Sequence, residues 1–554
     1  MSDTSAESSL EPQPRLLNST MVMASGTFVS RILGLVRVAL LGYLLGNGSR
    51  QADMLSIASG VPGQLYMLLV GGVLDAILVP LLVKARTKDA DGGQAFTDRI
   101  VTLFLILVSA LTVIFTIATP VVVYLQSDAA WRAPENSAQY HSLLILTAVC
   151  LPQVFFYGVF YLAGQILNSR NCFGPMMWAP VANNIIQIAL LGVYAVVWGF
   201  HDAADTSGPF TTAQILVLGL GTLVSVAIQT VILLPYLKKV GFRYTPRFDF
   251  LHTGLGSTAH LAKWMIAMVV IDQAYYWFNT RLASKATAGG NGAGATALGN
   301  AALISLLPHA LLTVSLATAL LPSLSKLAAA KSWNQFADQF SSGLKIVFAA
   351  IVPVSLLVAA LGLPIATLIW SPDVGGNYVG WTLTTLSVGM IPYTLMFLVF
   401  RGFYALGNTR VPFFSDVIFV LLTCGVGAIL IYWVNVPPAW VAPNIGIARF
   451  IGNLAAGAFA WIFLRTVVPA LSRTHILART VHLVVISIPG AVLAWVICWY
   501  QKAHFTGFVA NFLGLAVAGC VGVLVYVGLA RLTRVTEITE VLTLLRSKLK
   551  RSSV

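Results

Sequence analysis

Two arginines stand where lipid alone would not tolerate them. The first apolar block reads MVMASGTFVSRILGLVRVALLGYLL, and Arg31 and Arg37 fall inside it. A guanidinium at that depth must snorkel to headgroups, find a partner or line a water-filled cavity. Six residues at about 100° each leave the two side chains about 120° apart, so both can look into one broad cavity, Arg37 from deeper in the helix. Asp53 opens the second block directly after the polar turn GNGSRQ, which would set it at the outer mouth. Asp75 follows Gly72 in the same block and is the natural counter-charge for an arginine of the first. Arg31, Arg37, Asp53 and Asp75 form the candidate substrate-binding set. Asp272, beside Gln273 in AKWMIAMVVIDQAYYWFNTRLAS, and Asp416 in a later block are candidates to couple a proton or cation. For each the alternative is a structural hydrogen bond to a neighbouring helix, because a carboxylate facing lipid would be expensive.

Other chemistries find no residues. The histidines stand mostly near block ends with no two at ligand spacing, and the five cysteines are scattered singly, which marks them as small apolar fillers. No acid or histidine cluster of a membrane enzyme is present, and no loop is long enough to fold as a catalytic domain, so transport is favoured over catalysis. The formal charge of +14 could mark a nucleic-acid binder. The basic residues are instead spread in short runs between apolar blocks, where they act as topology signals.

The elements that must position these residues follow from the solvent. With 58% hydrophobic and 9% charged residues, the chain has too little polar surface to coat a water-soluble particle. It reads as an all-α polytopic membrane protein, and breaks at Gly, Pro, Asn and charged clusters divide it into about fourteen blocks of spanning length. These are 19–47, 53–83, 99–125, 140–167, 176–199, 211–236, 258–281, 297–325, 342–370, 380–405, 411–434, 443–468, 480–500 and 506–530. Pro62 and Gly71–Gly72 should kink or break the second. The weakest boundary is the Gly/Ala-rich 281–300. If the amino terminus is cytoplasmic, the outer side receives only Arg50, Arg132, Arg281, Lys285 and Lys502, while most other basic residues fall at the inner ends. That bias implies an even number of spans with both termini cytoplasmic. Residues 1–18 read as a disordered cytoplasmic tail, and 531–554 as an amphipathic cytoplasmic segment. Arg449 reads as an anchor at the outer headgroups.

Several short segments together resemble the MurJ/MviN family, within the multidrug, oligosaccharidyl-lipid and polysaccharide exporters. They are SRILGLVR at Ser30 to Arg37, AD…P…VP from Ala52 to Pro80, GQILNSRNCFGPMMWAPVANN at Gly164 to Asn184, LPYLKKVG at Leu234 to Gly241, LLPSLSK at Leu320 to Lys326, and RGFYALGNTR at Arg401 to Arg410. The resemblance implies two six-helix lobes around a central cavity plus two C-terminal helices. The N-lobe would occupy 19–236, the C-lobe 237–468, and a lipid-tail groove 469–530. It implies a flippase of peptidoglycan biosynthesis that moves lipid II, the undecaprenyl-pyrophosphate-linked precursor, from the inner to the outer leaflet of the bacterial cytoplasmic membrane. Arg31 and Arg37 would be its pyrophosphate arginines, and Asp53 its acidic residue opening the second helix. This chain departs from the family pattern at Met67 and Leu303, where cavity arginines are usual, and at Gly71, where an acid is usual.

Those departures keep two alternatives open: a flippase for another polyprenyl-linked envelope glycan, and a cation-coupled exporter of amphipathic compounds. The expected partners are the polyprenyl-pyrophosphate-linked glycan lipid, membrane lipids and other cell-wall synthesis proteins, with no nucleic acid and a monomeric carrier. No cofactor is expected beyond a coupling monovalent cation and the membrane potential.

Overall fold

The computed structural model describes residues 14–70, 91, 93–200, 205–249, 255–535 and 537. Twelve helical segments among them are long and apolar enough to cross a membrane. Two further long helices, Arg50–Val70 and Leu255–Ala288, carry more polar residues and take the second and seventh places in chain order. In order the long helices are α1 (Pro14–Leu45), α2 (Arg50–Val70), α3 (Gln94–Ile117), α4 (Pro134–Ser169), α5 (Gly174–Trp198), α6 (Thr212–Lys239) and α7 (Leu255–Ala288). They continue with α8 (Ala295–Ala329), α9 (Trp333–Ala360), α10 (Gly376–Ala405), α11 (Arg410–Trp433), α12 (Pro438–Val467), α13 (Ile476–His504) and α14 (Phe508–Leu532).

Local chemistry sets the departures from the sequence boundaries. α1 begins at Pro14, inside the stretch read as a tail. The third block is interrupted: α3 stops at Ile117 and the short helix Thr119–Gln126 restarts with Pro120 in its first turn, where the missing N–H costs nothing. The weakly apolar 281–300 divides cleanly, α7 continuing to Ala288 and α8 starting at Ala295. Pro62 lies within α2, while Gly71–Gly72 and Asp75 lie outside the described residues, as does most of the C-terminal segment.

α1 to α6 pack as one lobe and α7 to α12 as a second, each with its own apolar core. The strand-like linker between them is strapped to the first lobe. Asp249 pairs with Arg99 at 2.5 Å, Thr245 donates to Asp98 at 2.5 Å, and Gln94 donates to the Arg243 carbonyl at 2.7 Å. The Arg99 guanidinium holds the Asp249 carboxyl below the usual carboxylate range.

α13 and α14 pack on the second lobe through α9, where the Tyr526 hydroxyl donates to the Ala349 carbonyl at 2.6 Å. The pair crosses backbone to backbone: a Cβ on Gly490 would stand 2.5 Å from the Gly522 carbonyl oxygen. Gly490→Val should therefore separate the two helices and cost about 1–3 kcal/mol, seen as a lower melting temperature in detergent. Gly519→Ala, which meets nothing within 4 Å, should not lower the melting temperature and can raise it slightly by removing a helix-interior glycine.

Candidate functional site

The lobes are joined at one end of the bundle, called here the gate end. Asp53, at the start of α2, is fully buried and reaches across to the amino end of α8. Its carboxylate accepts from the Ala295 and Thr296 backbone N–H groups at 3.0 and 2.8 Å and from the Thr287 hydroxyl at 2.7 Å. The unsatisfied donors of a helix start are thus capped by an acid from the other lobe. Gly294 makes this approach possible, since a Cβ there would collide with the Asp53 carboxylate.

Further bonds close the same end. Arg50 donates to the carbonyls of Thr287 and Ala288 at 3.1 and 2.8 Å, and the Asn47 backbone N–H to Val374 at 2.8 Å. Asn300 donates to the Asn47 side chain at 2.7 Å, Trp131 to the Ser284 carbonyl at 2.8 Å, and Tyr432 to Asp128 at 2.6 Å. An apolar core beneath them combines Leu44, Leu45 and Met54 with Leu282, Ala286 and Ile445.

Helical geometry shows what lies beyond the gate. On α1, Val38 and Gly42 meet Trp370 of the second lobe. Arg31 precedes Gly42 by eleven residues, which returns it to within about 20° of that face and about 16 Å toward the other end. There the face is no longer covered, and Arg31 is exposed. Two other gate helices repeat the pattern. Met67 lies near the face of Asp53 on α2, and Leu303 near the face of Thr296 on α8, and they are 53% and 43% exposed. On each of these three helices the face that is covered at the gate end is therefore exposed farther along, at Arg31, Met67 and Leu303.

Arg37 occupies different ground. Its Nη1 donates to Gln187 of α5 at 2.9 Å, and its Nε is buried with no hydrogen-bond partner among the described residues. It lines a cavity of about 170 Å3 walled by α1, α2, α4, α5 and α6, together with Ser59, Gln153, Tyr157 and Thr222. From Gln187 a chain of amides continues, Gln187 to Asn183 and Asn183 to Gln229, each at 2.6 Å. The two arginines therefore do not share one chamber. The 120° between them turns Arg31 toward the second lobe and Arg37 into the heart of the first.

The second lobe holds its own buried charges. Asp416 of α11 is 5% exposed with Oδ2 lacking a hydrogen bond among the described residues, and it lies close enough to Asp272 of α7 to interact electrostatically. Thr423 Oγ1 and Asn453 Oδ1 are likewise buried without a partner at the junction of α11 and α12. Arg449 is not at the headgroups. It lines a small cavity in the second lobe with Tyr393, Ser305 and Asn453, and Tyr275 and Tyr276 stand near it. Its place near the start of α12 made it look like an anchor, because hydropathy does not say which face of a helix is internal. Gln187, Tyr157 and Gln153 were also missed, since uncharged polar residues give no sequence signal in a long span. Among the described residues no three His, Cys, Asp or Glu side chains converge as a metal site.

Comparison with known proteins decides the family. The family model described as "Lipid II flippase MurJ" matches residues 41–514. The chain belongs to the MurJ family. Among its MurJ relatives, the probable lipid II flippase of Vibrio cholerae is 22% identical over 540 residues, covering 93% of this chain and 96% of that protein. The lipid II flippase of Burkholderia cenocepacia is 25% identical, covering 72% and 75%. A solved structure of lipid II flippase MurJ in an inward closed conformation superposes with a TM-score of 0.68 at 19% identity, over 94% of this chain and all of that one. An inward-facing multidrug transporter of the MATE family shares the fold more distantly, with a TM-score of 0.54.

The latch makes a direct prediction. Asp53→Ala leaves the Ala295 and Thr296 donors without their acceptor, a loss of about 1 kcal/mol or more. Hydrogen exchange at those amides should accelerate roughly tenfold, with exchange in the α9 core unchanged.

Proposed function

We propose that this MurJ-family protein carries lipid II, the undecaprenyl-pyrophosphate-linked peptidoglycan precursor, from the cytoplasmic to the outer leaflet by alternating access. The observation that supports this best is that the lobes are bonded at the gate end while Arg31, eleven residues along the same face of α1, is exposed, as the wall of a cleft open at the other end would be. The charge bias of the loops supports a gate end on the outside and both termini in the cytoplasm, with a cleft that opens inward. A diphosphate sugar headgroup pulled through hydrocarbon would expose several charges to a medium that cannot solvate them. A wet cleft removes that cost while the isoprenoid tail stays in lipid, and α13–α14 offer the groove for it.

Arg31 meets the pyrophosphate first, through charge-assisted bonds. Arg37, held by Gln187, reinforces the positive field behind the α1–α2 wall. Rocking of the lobes then opens the gate. Once the latch parts, the Asp53 carboxylate is free to meet departing cargo, and Asp75, outside the described residues, is assigned to the same path. An inward-negative potential favours outward movement of an anion. A monovalent cation held between Asp272 and Asp416 resets the empty carrier.

One observation favours a second reading. Met67 and Leu303 make the cleft wall less cationic than the family pattern, which suits a polyprenyl-linked glycan of lower headgroup charge. Native mass spectrometry of the gently purified protein, reading the mass of the retained lipid, separates the two.

In sealed proteoliposomes, Arg31→Ala and Arg37→Ala should each slow lipid II flipping at least tenfold, a loss of about 1.4 kcal/mol or more. Arg37→Lys should remain impaired, because an ammonium does not reproduce the guanidinium fork. Asp272→Asn with Asp416→Asn should abolish the response to an imposed cation gradient. Flipping indifferent to gradient and potential in the unsubstituted protein would remove the coupling step.

A further inference from the structure

A cavity of about 820 Å3 lies where the amino-terminal parts of α9 and α13 meet the turn Pro469–Arg473. Its wall carries Lys345, Arg473, Arg479, His475 and His482 against two acids, Asp338 and Glu537. Glu537 is engaged: it pairs with Arg479 through two contacts, at 2.5 and 3.3 Å. Cations remain in excess. The amino end of α13 adds a partial positive charge at the same place.

Two buried polar atoms on this wall have no hydrogen-bond partner among the described residues. Ser341, 3% exposed, has no hydrogen-bond partner for Oγ among the described residues, and His482 has none for Nε2. Burying such groups without a partner is costly. A ligand rich in acceptor oxygens would satisfy both and balance the basic excess. Next to the cavity, α13 shows an outward apolar stripe of Leu477, Val481 and Val485, 75%, 55% and 58% exposed.

We propose that this cavity binds a phosphate group, between Lys345, Arg473 and His482, as a site separate from the translocation cleft. The phosphate can come from the headgroup of an anionic glycerophospholipid, whose chains would lie along the Leu477–Val485 stripe, or from a soluble phosphate ester. Volume supports a group larger than a bare ion, since the space would hold phosphate and the glycerol or sugar it esterifies.

The test uses the full chain in detergent. Melting temperature is followed while phosphatidylglycerol is titrated against phosphatidylcholine in mixed micelles, and inorganic phosphate against chloride at matched ionic strength. Stabilisation by phosphatidylglycerol alone assigns the lipid source, and stabilisation by inorganic phosphate assigns a soluble one. In either case Lys345→Gln with Arg473→Gln should raise the half-maximal concentration about tenfold or more, while Lys502→Gln at the opposite end should not. Arg473 is exposed, so Arg473→Gln alone serves should the double variant fail to fold. The proposal is overturned if neither probe stabilises the protein, or if a folded Arg473→Gln variant responds as the unsubstituted protein does.

Discussion

One buried carboxylate stands at the centre of the contacts that join the two lobes. Asp53 belongs to the first lobe, yet its bonds are to backbone donors that open a helix of the second. The arrangement satisfies both partners only while the lobes touch. Separating them leaves a buried acid and a bare helix start to be met by water or by something else that brings opposite charge. That makes the gate a two-state element. Its closed form is held by capping, by Arg50 on the Thr287 and Ala288 carbonyls, and by the apolar core beneath. None of these contacts depends on the far end of the bundle, so the cleft can stand open there while the gate is shut.

The cost of charge in lipid explains the remaining polar residues. Each lobe keeps an arginine inside, Arg37 against Gln187 and Tyr157, Arg449 near Tyr393 and Tyr276. Neither could remain in a helix facing hydrocarbon. In the first lobe the charge is spread along an amide chain to Gln229. In the second the arginine is set among tyrosines, of which Tyr393 is also within electrostatic reach of Asp272 and Asp416, so the two lobes are charged differently. That asymmetry is what the proposed function uses, with anion binding assigned near α1 and cation binding near α7 and α11.

Much of this was legible from residues alone. The number and order of the long helices followed from apolar length and charge placement, because bilayer thickness and backbone satisfaction leave few other solutions. Asp272 and Asp416 were visible as acids in apolar runs, although only packing shows them to be neighbours. What sequence could not supply was direction around each axis. Arg31 and Arg37 looked equivalent until the contacts of Gly42 with Trp370 and of Arg37 with Gln187 fixed the rotation of α1. Arg449 looked peripheral for the same reason. Asp53 was read only as a residue of the outer mouth; its partners, Thr287 and the backbone of Ala295 and Thr296, lie more than two hundred residues away, and no side-chain pattern announces them.

The central claim is that the lobes must part at the gate for cargo to leave. Cysteines placed at Asn47 and Val374, adjacent across the gate, in a background without the native cysteines, allow the closed state to be locked by oxidation. Flipping of lipid II in proteoliposomes should stop on cross-linking and return on reduction. Undiminished flipping by the fully cross-linked protein would contradict the account.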